Sequence, residues 1–194
     1  IGSLCLPLSK DVAQVTAIEA FPSTHKHLLD NIRVNGITNV VTMNIALGDK
    51  HDMVYFIDIK DKGKSRLENN TGGMHVLSAN DIDEGIRSAE LVDITQTVES
   101  FPLDNTNIDN FELILIDCEG LEMEILKGGI EKIRKNKPII ITEIWDDNKR
   151  RMENMRTSRK DVVEFITSQG YRLHKIVDND DFVFLPSNIG AWPG

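Results

Sequence analysis

Three carboxylates in this chain stand where short apolar runs end. Val15-Thr16-Ala17-Ile18 closes on Glu19, Leu113-Ile114-Leu115-Ile116 on Asp117, and Ile139-Ile140-Ile141-Thr142 on Glu143. Glu119 follows Asp117 immediately after Cys118. An apolar run too short for a free-standing helix and flanked by charge reads as a strand buried on both faces. In a doubly wound parallel sheet the carboxyl ends of the strands line the ligand crevice, so acids there are placed for chemistry. One task is to accept hydrogen bonds from ribose hydroxyls, which falls to an acid roughly 20 residues beyond a phosphate- or carboxylate-binding glycine loop. Gly2 precedes Glu19 by 17 residues, which fits that spacing. The other task is general acid–base work on a bound group. Bland alternatives stand beside both: Glu19 as a polar strand terminus, Glu119 as an acid stabilising a helix N-terminus by about 0.3–1 kcal/mol, and Glu143 as an anchor for nearby backbone.

The elements that must hold these acids follow from periodicity. After Asp117, residues Leu121, Ile125, Leu126, Ile130 and Ile133 recur at helical spacing, with Glu122, Glu124, Lys127, Glu131 and Lys132 between them. The segment therefore reads as strand, acidic turn, helix. Upstream, a short helix is predicted over residues 6–14, with Pro7 in its first turn. A second helix opens at Phe21-Pro22-Ser23 and stops at Asn35-Gly36. Strands are predicted over 39–47 and 53–59, a surface loop over 61–80, and a half-exposed strand over 90–98. Residues 157–169 form a helix with Ser158 and Asp161 as a capping box. Residues 171–177 and 181–185 then pair as an antiparallel hairpin through Asp178-Asn179-Asp180. The expectation is one α/β domain over residues 1–194, with a mostly parallel sheet and a C-terminal antiparallel hairpin. Because the chain opens on Ile1-Gly2 without a methionine, the first strand is expected upstream of residue 1, leaving the domain N-terminally truncated.

Composition narrows the partners. Thirty-one acidic against 22 basic residues give a net charge of −9, which argues against a nucleic-acid backbone or an anionic membrane surface. No apolar run is long enough for a membrane span, and two distant cysteines, Cys5 and Cys118, favour a reducing cytoplasmic setting. Asp117, Glu143, Asp146 and Asp147 carry oxygens that suit a hard cation, but no ligand spacing demands one, and no metal is expected. His75 is the one histidine considered as a base. Trp145 reads equally as a pocket wall or as packing, and the run 149–160 reads as a solvated charged face.

Residues 114–129, Ile-Leu-Ile-Asp-Cys-Glu-Gly-Leu-Glu-Met-Glu-Ile-Leu-Lys-Gly-Gly, resemble the signature of the FkbM-type S-adenosylmethionine-dependent methyltransferases. Four further blocks resemble that family in the same order: Ile18 to Pro22, Asn31 to Gly36, Asn44 to Asp49, and Lys137-Pro138 through Glu143-Ile144. The resemblance implies a Rossmann-like fold and S-adenosylmethionine as cofactor. It implies that Gly2 ends the glycine-rich loop, Glu19 holds the ribose, Ala46 approaches the adenine, and Asp117 faces the methionine end or the substrate. It also implies an oxygen acceptor on a small molecule or sugar. Methyl transfer from a sulfonium rests on positioning, with a base where the acceptor is a hydroxyl; Glu119 and Glu143 are the candidates for orienting or deprotonating it. The chain departs from the family in Val98-Glu99-Ser100, Leu115 and Ala20. Two other readings remain open: a non-catalytic binding domain of this fold, and a nicotinamide-dependent oxidoreductase, although no complete Gly-x-Gly-x-x-Gly is present.

Overall fold

The computed structural model describes residues 1–61, 64–65, 75–78, 92–118, 120–152, 155 and 157–188; for 56–61, 64–65, 75–78, 92–96 and 152 it describes the backbone alone. Its contacts gather into two units, residues 1–101 and 102–194.

In the first unit, helix α1 (Cys5–Leu8) is one turn long, shorter than the predicted 6–14. The chain leaves the α-helical pattern because Lys10 and Asp11 donate three residues back, to the carbonyls of Pro7 and Leu8. The Asn39 amide then takes the carbonyls of Ser9 and Val12, at 2.7 and 3.0 Å, which a longer helix would need for itself. Strand β1 (Val15–Ile18) leads through helix α2 (Pro22–Val34) to strand β2 (Val40–Met43), which lies parallel to β1. Pro22 occupies the first helical turn, where its missing N–H does no harm, and Gly36 at φ +64° follows the helix end.

The strand predicted over 39–47 is two strands. Between β2 and β3 (Ala46–Leu47), the Asn44 side chain donates to the carbonyls of Glu19 and Ala20 and turns the chain away. β3 runs parallel to β7 (Val92–Phe101), which is antiparallel to β4 (Asp52–Asp61). β4 also pairs with β5 (Lys64–Ser65) and β6 (His75–Ser78), so part of the predicted surface loop is sheet. Phe21 and Val98 are buried together against Ala20 and Val54.

In the second unit the sheet order is β10-β11-β9-β8. Strand β8 (Leu113–Ile116) is parallel to β9 (Ile139–Glu143), while β11 (Asp181–Pro186) is antiparallel to both β9 and β10 (Tyr171–Val177). The C-terminal hairpin is as expected, and Asp178 and Asn179 take the positive φ its turn requires. β8 ends this sheet and leaves Leu115 exposed, so it is less buried than its unbroken apolar run suggests.

The helix predicted after residue 120 is two helices, α3 (Glu122–Gly128) and α4 (Ile130–Asn136). They meet at Gly129, where a Cβ would stand 2.9 Å from Leu103 Cδ2. Helix α5 (Asp147–Met152) overlaps the start of the stretch read as a solvated face, and α6 (Arg159–Ser168) carries the predicted capping box. Apolar side chains of α3, α6, β9 and β11, among them Leu126, Val162, Ile166, Ile140 and Phe184, form the buried centre of this unit. The described residues thus make a mixed α/β structure of three sheets and six α-helices.

Candidate functional site

The parallel register of β8 and β9 sets Ile116 opposite Thr142. Asp117 and Glu143, one residue further along each strand, therefore leave the sheet side by side, close enough for the charge of Asp117 to act on the Glu143 carboxyl. Asp117 is exposed and Glu143 half-buried. Burial pushes the Glu143 carboxyl above the usual glutamate range. A hydrogen bond from Trp145 draws it back, the negative charge of Asp117 pushes it up again, and Lys149 opposes that with its positive charge.

Trp145 fixes the geometry. Its ring is buried, its Nε1–H donates to Glu143 Oε2 at 2.9 Å, and Lys149 Nζ lies 3.4 Å from the ring centroid. With Lys149 over that face, the indole serves here as packing and as a donor to the acid. Glu119, the second predicted catalytic acid, lies outside the described residues, as does the loop flanking His75.

The turn after Asp117 is held from beneath. Leu121 N–H donates to Cys118 O at 3.1 Å, and Gly120 N–H donates to Glu122 Oε1 at 2.7 Å. Glu122 and Arg150 are each 2% exposed and form an ion pair at 3.2 Å, and Arg150 also donates to the carbonyl and hydroxyl of Thr157. Removing one partner from such a pair costs roughly 3–5 kcal/mol.

The sequence reading missed both residues. Glu122 had a signal: it lies three and four residues before Ile125 and Leu126, on the same helix face, and all three are buried. Arg150 was masked by its charged neighbours and corrects the reading of 149–160 as a wholly solvated face. Asp146 and Asp147 serve locally: Asp146 accepts from the N–H groups of Asn148 and Lys149, and Asp147 from that of Arg159.

In the first unit, the residues expected at a cofactor stand as follows. Glu19 follows β1; its backbone N–H donates to Met43 O, and its Oε1 accepts the Phe21 N–H at 2.9 Å. Gly2 adopts φ +79°, and a Cβ there would sit 3.0 Å from Leu6 and Leu28 side-chain atoms, so a side chain is doubly disfavoured. Its carbonyl accepts the Leu6 N–H and starts α1. Ala46 is buried in β3, opposite Ser100.

A cavity of about 490 Å³ in the second unit is lined by Asp147, Arg150, Arg151, Met155, Thr157, Ser158 and Asp161. None of the predicted site residues that are described borders it. Its polar groups are largely engaged: Arg150 with Thr157 and Asp161 with Ser158 within the lining, and Arg151 with Asn148 beyond it. Among the described residues, no helix is long and apolar enough to cross a membrane.

Residues 4–173 match the family described as the methyltransferase FkbM domain. A crystal structure of methyltransferase FkbM from Methylobacillus flagellatus KT is similar with a TM-score of 0.55 and 16% sequence identity, a likeness of fold alone. The match covers 93% of this chain and 39% of that one, so this chain spans well under half of that protein's length. No curated protein matches the chain. The family match extends over most of the sequence, through the strand, acidic turn and helix described above, and the chain belongs to the FkbM methyltransferase family.

Proposed function

We propose that the chain is an S-adenosylmethionine-dependent methyltransferase that transfers a methyl group to an oxygen of a small molecule or sugar. Its 194 residues are read as one Rossmann-like, doubly wound domain working in the reducing cytoplasm. The observation that carries the reading is the Asp117–Glu143 carboxyl pair at adjacent parallel strand ends, with Glu143 raised above the ordinary range. A carboxyl so raised is better matched to exchanging a proton with a hydroxyl near neutral pH than an ordinary one.

The residues present fit the cofactor. Glu19 is half-buried, with the Phe21 N–H on its Oε1, and its Oε2 is assigned to accept from a ribose hydroxyl. Gly2 and Ala46 are assigned to the rest of the cofactor on the family resemblance. When bound, S-adenosylmethionine supplies an electrophilic methyl group on a cationic sulfonium. Asp117 adds negative charge that favours that cation or orients the acceptor. Glu143 accepts the acceptor's proton, and Glu119 is assigned to orienting it. The net charge of −9 favours neutral or cationic small molecules over nucleic acid.

Calorimetry with S-adenosylmethionine, S-adenosylhomocysteine and NAD tests this, together with labelled methyl transfer to a panel of sugars and hydroxylated small molecules. Glu19→Ala should weaken S-adenosylmethionine binding about tenfold, equivalent to about 1.4 kcal/mol. Glu143→Gln should leave binding nearly unchanged and slow transfer by about 10²–10⁴. Failure of the wild-type protein to bind either sulfur cofactor, or binding of NAD instead, would overturn the reading.

A further inference from the structure

Glu122 and Arg150 are the most deeply buried charged side chains described in the second unit, each 2% exposed, and neither belongs to the cofactor or acid–base set above. Stability alone does not account for them, because a buried ion pair is often no better than apolar side chains of similar size. What an apolar pair cannot supply is direction. Glu122 Oε1 accepts the Gly120 N–H at 2.7 Å while its Oε2 faces Arg150 Nη1 at 3.2 Å. The remaining arms of the guanidinium reach Thr157, Nε to its carbonyl at 2.7 Å and Nη2 to its hydroxyl at 2.8 Å.

A second contact reaches the same turn. Gly120, at φ +99°, lies under Met155: a Cβ there would fall 1.9 Å from Met155 Cε and 2.4 Å from its sulfur. Met155 is in turn tethered by its N–H to Arg150 O at 2.9 Å. The Arg150 guanidinium therefore holds the turn through Glu122 within α3, while its backbone carbonyl tethers Met155, which packs against Gly120. We infer that Glu122 and Arg150 are positioning residues that clamp the turn following β8 and thereby keep the Asp117 carboxyl against Glu143. The inference rests on the methyltransferase reading for its purpose, whereas the clamp itself is measurable without any cofactor.

The test compares the wild-type protein with the apolar double variant Glu122→Leu/Arg150→Met. Three measurements are made: the unfolding midpoint, hydrogen exchange at the Gly120 amide, and the titration of the Glu143 carboxyl carbon by NMR. The double variant should fold, with Gly120 exchanging at least about tenfold faster. Its Glu143 midpoint should move down toward an ordinary glutamate as Asp117 is released, with Lys149 still opposite. A folded double variant in which Glu143 titrates as in the wild type would overturn the inference, whatever the exchange at Gly120. If the double variant does not fold, Glu122→Gln decides, since it weakens the hold on Arg150 while retaining an oxygen for Gly120. A lowered Glu143 midpoint supports the clamp, and an unchanged one overturns it. Calorimetry of the wild type with S-adenosylmethionine, run alongside, separates the two ideas: absent binding removes the methyltransferase reading, while the NMR data alone decide the clamp.

Discussion

Glu143 owes its behaviour to surroundings contributed by two strands and the residues just beyond them. Burial and Asp117 raise its proton affinity, while Trp145 and Lys149 restrain the rise. The consequence for stability has a definite sign. The folded protein holds this proton more tightly than the unfolded chain, so as pH climbs from the ordinary glutamate range through the raised one, the unfolded state ionises first and gains. Stability contributed by this site is therefore present at low pH and lost on going up. Glu143→Gln removes that loss and keeps an acceptor for the Trp145 N–H. Its urea midpoint should gain on the wild type as pH rises through the window, with no further gain above it; a pH-independent difference would count against the raised carboxyl. The positions of Asp117 and Glu143 were legible because an acid ending an apolar run marks a strand terminus. Lys149 over Trp145 was not, because no spacing rule encodes a cation resting on an indole four residues away.

At the scale of elements, patterns whose signals are local came through intact. Helix α6 shows this: Ser158 and Asp161 form the reciprocal cap that their spacing announces, with Ser158 N–H donating to Asp161 Oδ2 at 2.7 Å and Asp161 N–H to Ser158 Oγ at 3.2 Å. Ser158→Ala should destabilise the protein by about 0.5–2 kcal/mol, read from chemical denaturation. Asp161→Asn, which keeps an acceptor, should cost less. Elements set by distant partners did not come through. Helix α1 is shortened by Asn39, the 39–47 strand is divided by Asn44, and the α3–α4 break follows from the approach of Leu103 to Gly129. In each case the deciding atom lies at least 20 residues away in sequence, beyond the reach of periodicity. Helix α5 was hidden differently, since its run of charges disguised the one side chain, Arg150, that turns inward.

For the whole chain, family membership was legible from five ordered blocks, while the division of contacts at Phe101 was not, since it arises from tertiary packing. A cofactor that binds only the folded state must raise the apparent stability of the molecule. At a hundredfold excess over its dissociation constant, S-adenosylmethionine should add about 2.7 kcal/mol, visible as a raised thermal midpoint, and Glu19→Ala should reduce the shift at the same concentration. No shift with wild type at saturating cofactor would speak against binding. The chain has two tryptophans, Trp145 and Trp192. Trp145 touches the acid with its edge and a cation with its face. Its fluorescence should therefore follow the ionisation of Glu143, and with Trp192 replaced by phenylalanine the protein should carry its own optical indicator for that carboxyl, needing no dye, label or known acceptor.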